Sequence, residues 1–182
     1  MARVATPLPV ADLSAFARAL QRSLPHARGA IIFLTDADCV LHNESFQRLI
    51  YPVVTGAESV VTGTFKPLWQ QHRLPFAAAQ WLMQQAGQIR TATAITYSGF
   101  LVGANCALTR TLVEACWQTP LDNAIGEDYH LALEIQRRGI RIRHCLESYV
   151  QTRYPDTFYK YLMTKSRWHR SWLLHHYRLG DQ

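Results

Sequence analysis

Two acids, Asp36 and Asp38, stand two positions apart in Thr35-Asp36-Ala37-Asp38, directly after the apolar run Ala30-Ile31-Ile32-Phe33-Leu34. Side chains two apart on an extended segment point to the same side, so both carboxylates can reach one cation. Magnesium or manganese prefers such oxygen ligands and commonly bridges protein carboxylates to substrate phosphates. An Asp-x-Asp triplet is also frequent in turns, where the first Asp caps its own backbone. The triplet alone fits either reading. The apolar strand before it puts the acids at the end of a sheet rather than in an arbitrary loop, and that is where α/β proteins collect functional groups.

A second acidic pair, Glu127-Asp128, follows Gly126 at the start of a helical pattern. Acids in a first helical turn complement the helix dipole, worth ~0.3–1 kcal/mol, which would account for them. The chemical alternative is a general base, with Asp128 taking the proton of an attacking hydroxyl. Later in the chain, Thr164-Lys165-Ser166-Arg167-Trp168 offers a guanidinium fork for a phosphate at Arg167 and a ring at Trp168 for a sugar or for the core. The eight histidines make a weaker case. His169, His175 and His176 share the last helix without a matching acid or cysteine, as solvated side chains do. Cys39, Cys106, Cys116 and Cys145 contain no Cys-x-x-Cys pair. Scattered through apolar segments, they read as buried thiols of a reducing compartment.

The elements that must position these residues follow from periodicity. In 182 residues, apolar types make up 48% and charged types 18%, a globular composition with enough chain for one domain. The net charge of +6 points to an anionic partner without choosing which. No stretch holds the ~20 apolar residues that span a bilayer. A first helix is expected from Asp12, with Leu13, Phe16, Ala17 and Leu20 on one face, ending near Pro25 to Gly29. Ala30 to Leu34 reads as a strand buried on both faces. A helix from Asn43 carries Phe46, Leu49 and Ile50. Ser59 to Phe65 reads as a strand, Phe76 to Gln88 as a helix and Tyr97 to Val102 as a strand. Helices are expected over Thr109 to Trp117 and Asp128 to Arg138, the latter stopped by Gly139. Ile140 to Leu146 alternates like a strand, and Thr157 to Leu179 reads as one long helix. Strands alternating with helices make an α/β layered domain, a single unit over residues 1–182.

Taken in order, the acidic triplet at a strand end, Glu-Asp about ninety residues on and Arg-Trp about forty further resemble the family-2 glycosyltransferases of the cellulose, hyaluronan and ceramide-glucoside synthase type. That family carries D-x-D, T/G-E-D and Q/R-x-x-R-W motifs in this order. Gly103-Ala104-Asn105 followed by Arg110 is similar to its small-residue stretch beside the donor and acceptor pocket. The resemblance covers about Leu13 to Trp172. It implies a GT-A fold, a mixed sheet flanked by helices, and an inverting transfer from a nucleotide sugar, by analogy a UDP-sugar, to a lipid or glycan hydroxyl. It assigns Asp38 to a magnesium or manganese ion and Asp36 to its side, near the ribose. Asp128 becomes the catalytic base with Glu127 beside it. Gly103 and Asn105 line the substrate site, and Arg167 and Trp168 hold the diphosphate and frame the acceptor.

Thr164 departs from the family's Gln or Arg. The family also opens with a β-α-β segment that reads the base, which this chain does not match, so the GT-A fold is expected to be incomplete and one edge of the Ala30–Leu34 strand unpaired. A partner chain is one way to cover that edge. The segment 157–179 holds Lys160, Lys165, Arg167, Arg170 and Arg178 with no acid, among Phe158, Tyr159, Tyr161, Trp168, Trp172 and Tyr177. This suits a headgroup layer, hence a peripheral position on the cytoplasmic face of a membrane. Two other classes compete: a non-catalytic remnant or binding domain of the same fold, and a basic nucleic-acid binder, against which stands the lack of any reading motif.

Overall fold

The computed structural model describes residues 22–68, 76–83, 97–117 and 126–179, with the side chains of residue 168 and of residues 170–179 outside that description. After a short 3-10 turn at Leu24–His26 come β1 (Ile31–Leu34), β2 (Val40–Leu41), α1 (Asn43–Val54) and β3 (Val60–Pro67). A helix over 76–83, α2, is followed by β4 (Tyr97–Ser98), β5 (Cys106–Thr109) and α3 (Arg110–Cys116). The chain continues through α4 (Glu127–Arg137), β6 (Ile142–Thr152) and α5 (Phe158–Leu179).

The strands form one mixed sheet in the order β1-β5-β3-β6-β2, with β4 also on β6. β5 lies antiparallel between β1 and β3, and β3 and β6 run parallel. The carboxyl ends of β1, β3 and β6 therefore share one end of the sheet with the amino end of β5. Period-2 alternation sends side chains to two cores. Ile32, Leu34, Val60, Cys106, Leu108 and Ile142 meet α3 and α4 through Leu112, Val113, Leu131 and Ile135. Ile31, Phe33, Val61 and Ala107 meet α1 through Leu49 and Val53 on the other face. The all-apolar β1 is the residue pattern that a sheet covered on both faces requires.

Several expectations shift. β2 and β5 were not foreseen as strands. The Tyr97 strand ends at Ser98, where Ser98 Oγ donates to the Phe100 carbonyl (2.7 Å) and accepts from the Phe100 N–H (3.2 Å), turning the chain away. β6 runs on to Thr152 instead of stopping at Leu146. Its pairing with β3 steps from Thr62↔His144 to Thr64↔Tyr149, so the extra residues bulge outward and Leu146 and Glu147 are exposed. Polar residues inside a strand mimic a turn in sequence; here they sit on a bulge. Among the described residues β1 is hydrogen-bonded on one side alone, to β5; residues 1–21, which precede it, lie outside the described residues, and so does the expectation of an unpaired edge. The first predicted helix lies outside the described residues, apart from its last positions, as do residues 84–88 of the Phe76 helix.

Candidate active site

The Leu34↔Cys106 pairing sets the end of β1 beside the loop that enters β5. Thr62 Oγ1 accepts from the Val102 N–H at 2.8 Å, holding that loop against β3. Beyond Leu34 the chain turns, and the Cys39 N–H donates to the Asp36 carbonyl at 3.1 Å. Across the cleft, Gly126 has φ 91°, a left-handed conformation that glycine adopts without strain, and this aims the first turn of α4 inward. Leu34, Thr35, Asp36, Gly103, Trp117, Glu127, Asp128 and Leu131 line the resulting cleft.

Electrostatics tie its acids together. The Asp128 carboxylate accepts the Tyr129 N–H at 2.8 Å. Desolvation raises its pKa, and the backbone N–H groups of Tyr129 and Gly103 hold it partly down. Glu127 is pushed up to about 7, first by desolvation and then by the Asp128 charge, with Asp36 adding and Arg167 opposing. Asp36 is raised by desolvation and by Asp38, and Arg167 again opposes. Asp36, Asp38, Glu127, Asp128 and Arg167 thus share one field, although the acids come from opposite halves of the chain.

The other assignments divide. Gly103 belongs in the cleft: a Cβ there would lie 2.9 Å from Asp128 Cβ and 3.3 Å from its Oδ2. Asn105 does not line the cleft. It is 0% exposed, and its Nδ2 donates to the carbonyls of Thr64 (3.1 Å) and Ser148 (3.2 Å) beside the β6 bulge. Its backbone carbonyl accepts the Gly63 N–H at 2.8 Å, and a Cβ on Gly63 would overlap the Asn105 side-chain amide. It clamps β3 to β6. A short polar residue in a small-residue stretch serves a pocket or a buried strand junction alike, and the sequence pattern cannot separate them. Arg110 also points elsewhere, to the amino end of β1, donating to the Ala27, Gly29 and Leu24 carbonyls. The side chain of Trp168 lies outside the described residues.

Three groups went unassigned in the sequence. Trp117 and Leu131 wall the cleft as apolar core residues and carry no sequence signal of it. The sequence reads Cys39 as a buried thiol, yet ligand atoms of Asp36, Asp38 and Cys39 all lie within 4.8 Å of one another. Its place directly after Asp38 was the available signal. This donor set fits a divalent cation: two carboxylates suit magnesium or manganese, and the sulfur suits softer ions.

Residues 4–171 match the family model described as glycosyltransferase like family 2. The chain belongs to this family. Its curled mixed sheet flanked by helices agrees with the GT-A-like fold of such glycosyltransferases. No curated protein matches the chain. Among solved structures it is similar to one titled as the crystal structure of a mycobacterial protein, at 21% identity and a TM-score of 0.47. That similarity covers 76% of this family-2 chain and 44% of the mycobacterial one, so the chain spans less than half the length of that protein.

Proposed function

We propose that this family-2 domain carries the acid–base and diphosphate-binding part of an inverting glycosyl transfer, from a nucleotide sugar, with a UDP-sugar favoured, to the hydroxyl of a lipid or glycan. The reading is carried by one observation: Asp36, Glu127 and Asp128 line the same cleft, within the field of Arg167. Asp128 takes the proton of the acceptor hydroxyl as its oxygen attacks the anomeric carbon. The anomeric C–O bond breaks on the opposite side, and the nucleoside diphosphate departs with the electron pair. Desolvation that raises Asp128 makes it a stronger base, and the Tyr129 N–H donor holds its direction. Arg167, whose charge acts on Asp36 and Glu127, would meet the diphosphate, while Gly103, with no side chain, leaves room beside the base. Asp38, with Asp36 beside it, would hold a divalent cation, whose charge offsets that of the departing diphosphate when bound.

The decisive comparison is Asp128→Asn in transfer assays with UDP-sugars, alongside donor binding by calorimetry. Transfer should fall by ~10²–10⁴-fold with binding largely kept. Loss of both together would mark Asp128 as structural, and surviving transfer would remove it from the reaction.

We also propose that the domain works at the cytoplasmic face of a membrane. Support comes from Phe158, Tyr159, Leu162 and Met163, large apolar side chains exposed on α5 beside Lys160. The free thiols of all four cysteines fit a reducing compartment. No helix among the described residues is long and apolar enough to cross a membrane.

A further inference from the structure

We propose that Cys39 is a third protein ligand of the cation held by Asp36 and Asp38, and that its sulfur turns the site's preference from magnesium toward thiophilic divalent ions such as cobalt and zinc. The inference deepens the reading above, from which it takes only the presence of a cation. Two observations carry it. The turn from Asp36 to Cys39, closed by the Cys39 N–H on the Asp36 carbonyl, folds the thiol back toward both acids. One ligand atom from each residue falls within a 4.8 Å set. Ligands of one tetrahedral zinc ion stand about 3.6 Å apart, given zinc–sulfur and zinc–oxygen bonds of about 2.3 and 2.1 Å. Asp36 and Asp38 are exposed, which leaves their side chains free to turn toward one ion.

The choice of ion follows from donor chemistry. Magnesium takes oxygen in near-ideal octahedra and gains little from sulfur. Cobalt and zinc accept mixed sulfur and oxygen sets and lie higher in the divalent affinity series than manganese. A site of two carboxylates alone would leave that choice open; the thiolate decides it.

Cobalt reports the ligand directly, because thiolate coordination produces a sulfur-to-metal charge-transfer band in the near ultraviolet and carboxylate coordination does not. The 182-residue protein should develop this band on titration with cobalt chloride, and excess magnesium should displace it poorly. Cys39→Ser should lose the band and bind cobalt about 10–100-fold more weakly by calorimetry, with magnesium affinity unchanged. Cobalt binding without the band in the unaltered protein overturns the proposal, as does a band that persists in Cys39→Ser or a failure to bind cobalt. Repeating the titration with UDP separates the two readings. If UDP tightens cobalt binding but no thiolate band forms, Cys39 is not a ligand and the nucleotide-sugar reading stands. A band with no effect of UDP supports the cysteine ligand and counts against the nucleotide.

Discussion

A Cβ added to Gly103 would stand 2.9 Å from the Cβ of Asp128, so the absence of a side chain in one loop is a condition for the position of an acid on the first turn of α4. Gly103→Ala should push α4 outward or turn the Asp128 carboxylate. Overpacking of this kind costs ~1–3 kcal/mol. A displacement approaching 1 Å can cost ~10²-fold in rate. Thermal unfolding and transfer kinetics of Gly103→Ala should show both losses, with kcat falling more than donor affinity. An alanine variant of unchanged kcat would show that the loop yields and the contact sets nothing.

Glu127 should carry a pH signature. Its folded pKa of about 7 lies above the ordinary carboxylate value of 4.5, so its contribution to stability is complete below 4.5 and is lost as pH rises through about 7. Glu127→Gln should therefore gain stability over the unaltered protein at about pH 8, on the order of 1–2 kcal/mol after allowance for solvent screening, and gain none at about pH 4. Urea unfolding in a chelating buffer at the two pH values measures the difference. Equal stability at both would mean that Glu127 is solvated and ionised throughout.

Asn105 should behave as a structural residue. Asn105→Ala leaves the Thr64 and Ser148 carbonyls short of donors at the β3/β6 junction, which should cost ~1–3 kcal/mol, with donor affinity of the folded protein unaltered. Asn105→Asp should cost more, since it sets a carboxylate against those carbonyls. Denaturant unfolding paired with calorimetric donor binding distinguishes this from a pocket role, in which affinity falls and stability holds.

The exposed apolar side chains of α5 give the membrane proposal its test. The protein should float with anionic liposomes at low salt, and Phe158→Ser with Leu162→Ser should reduce the bound fraction. Added salt should weaken binding as Lys160 and the other cations of the helix are screened. Absence of flotation at low salt would sink the idea.

The sequence exposed those features that arise from one local period. The apolar β1, the amphipathic α1 and α4 and the glycine stop after α4 were legible because each declares itself within a dozen or so residues. The acids were legible because β1 places them at a sheet end. Pairing partners were not. β5 is four residues of ordinary apolar type, and β2 is two; neither is long enough to show a period. The β6 bulge reads as a turn until β3 is seen beside it. Asn105 and Cys39 show the same limit in opposite directions. Asn105 was expected beside the substrate and is consumed by strands 41 and 43 residues away in sequence, whereas Cys39 was expected in a core and stands beside two carboxylates. In both cases the deciding neighbours are distant in the chain or depend on the direction of a turn.

The place of β1 at the end of the sheet order has a thermodynamic side. The Asp36–Cys39 turn runs from one margin of the sheet to the other: four residue pairs join β1 before it to β5, two join β2 after it to β6, and β5 itself is secured on both flanks. Opening of such a margin can cost less than global unfolding. This turn and the acids of α4 can then part while the centre of the sheet persists. An ion or diphosphate that spans them would act as a fastener, adding its binding free energy to the weakest seam of the domain rather than to its core. Bound and free protein would share nearly one melting profile in β3 and β6 and differ at the margin. In this domain substrate affinity and local order are then two readings of a single equilibrium.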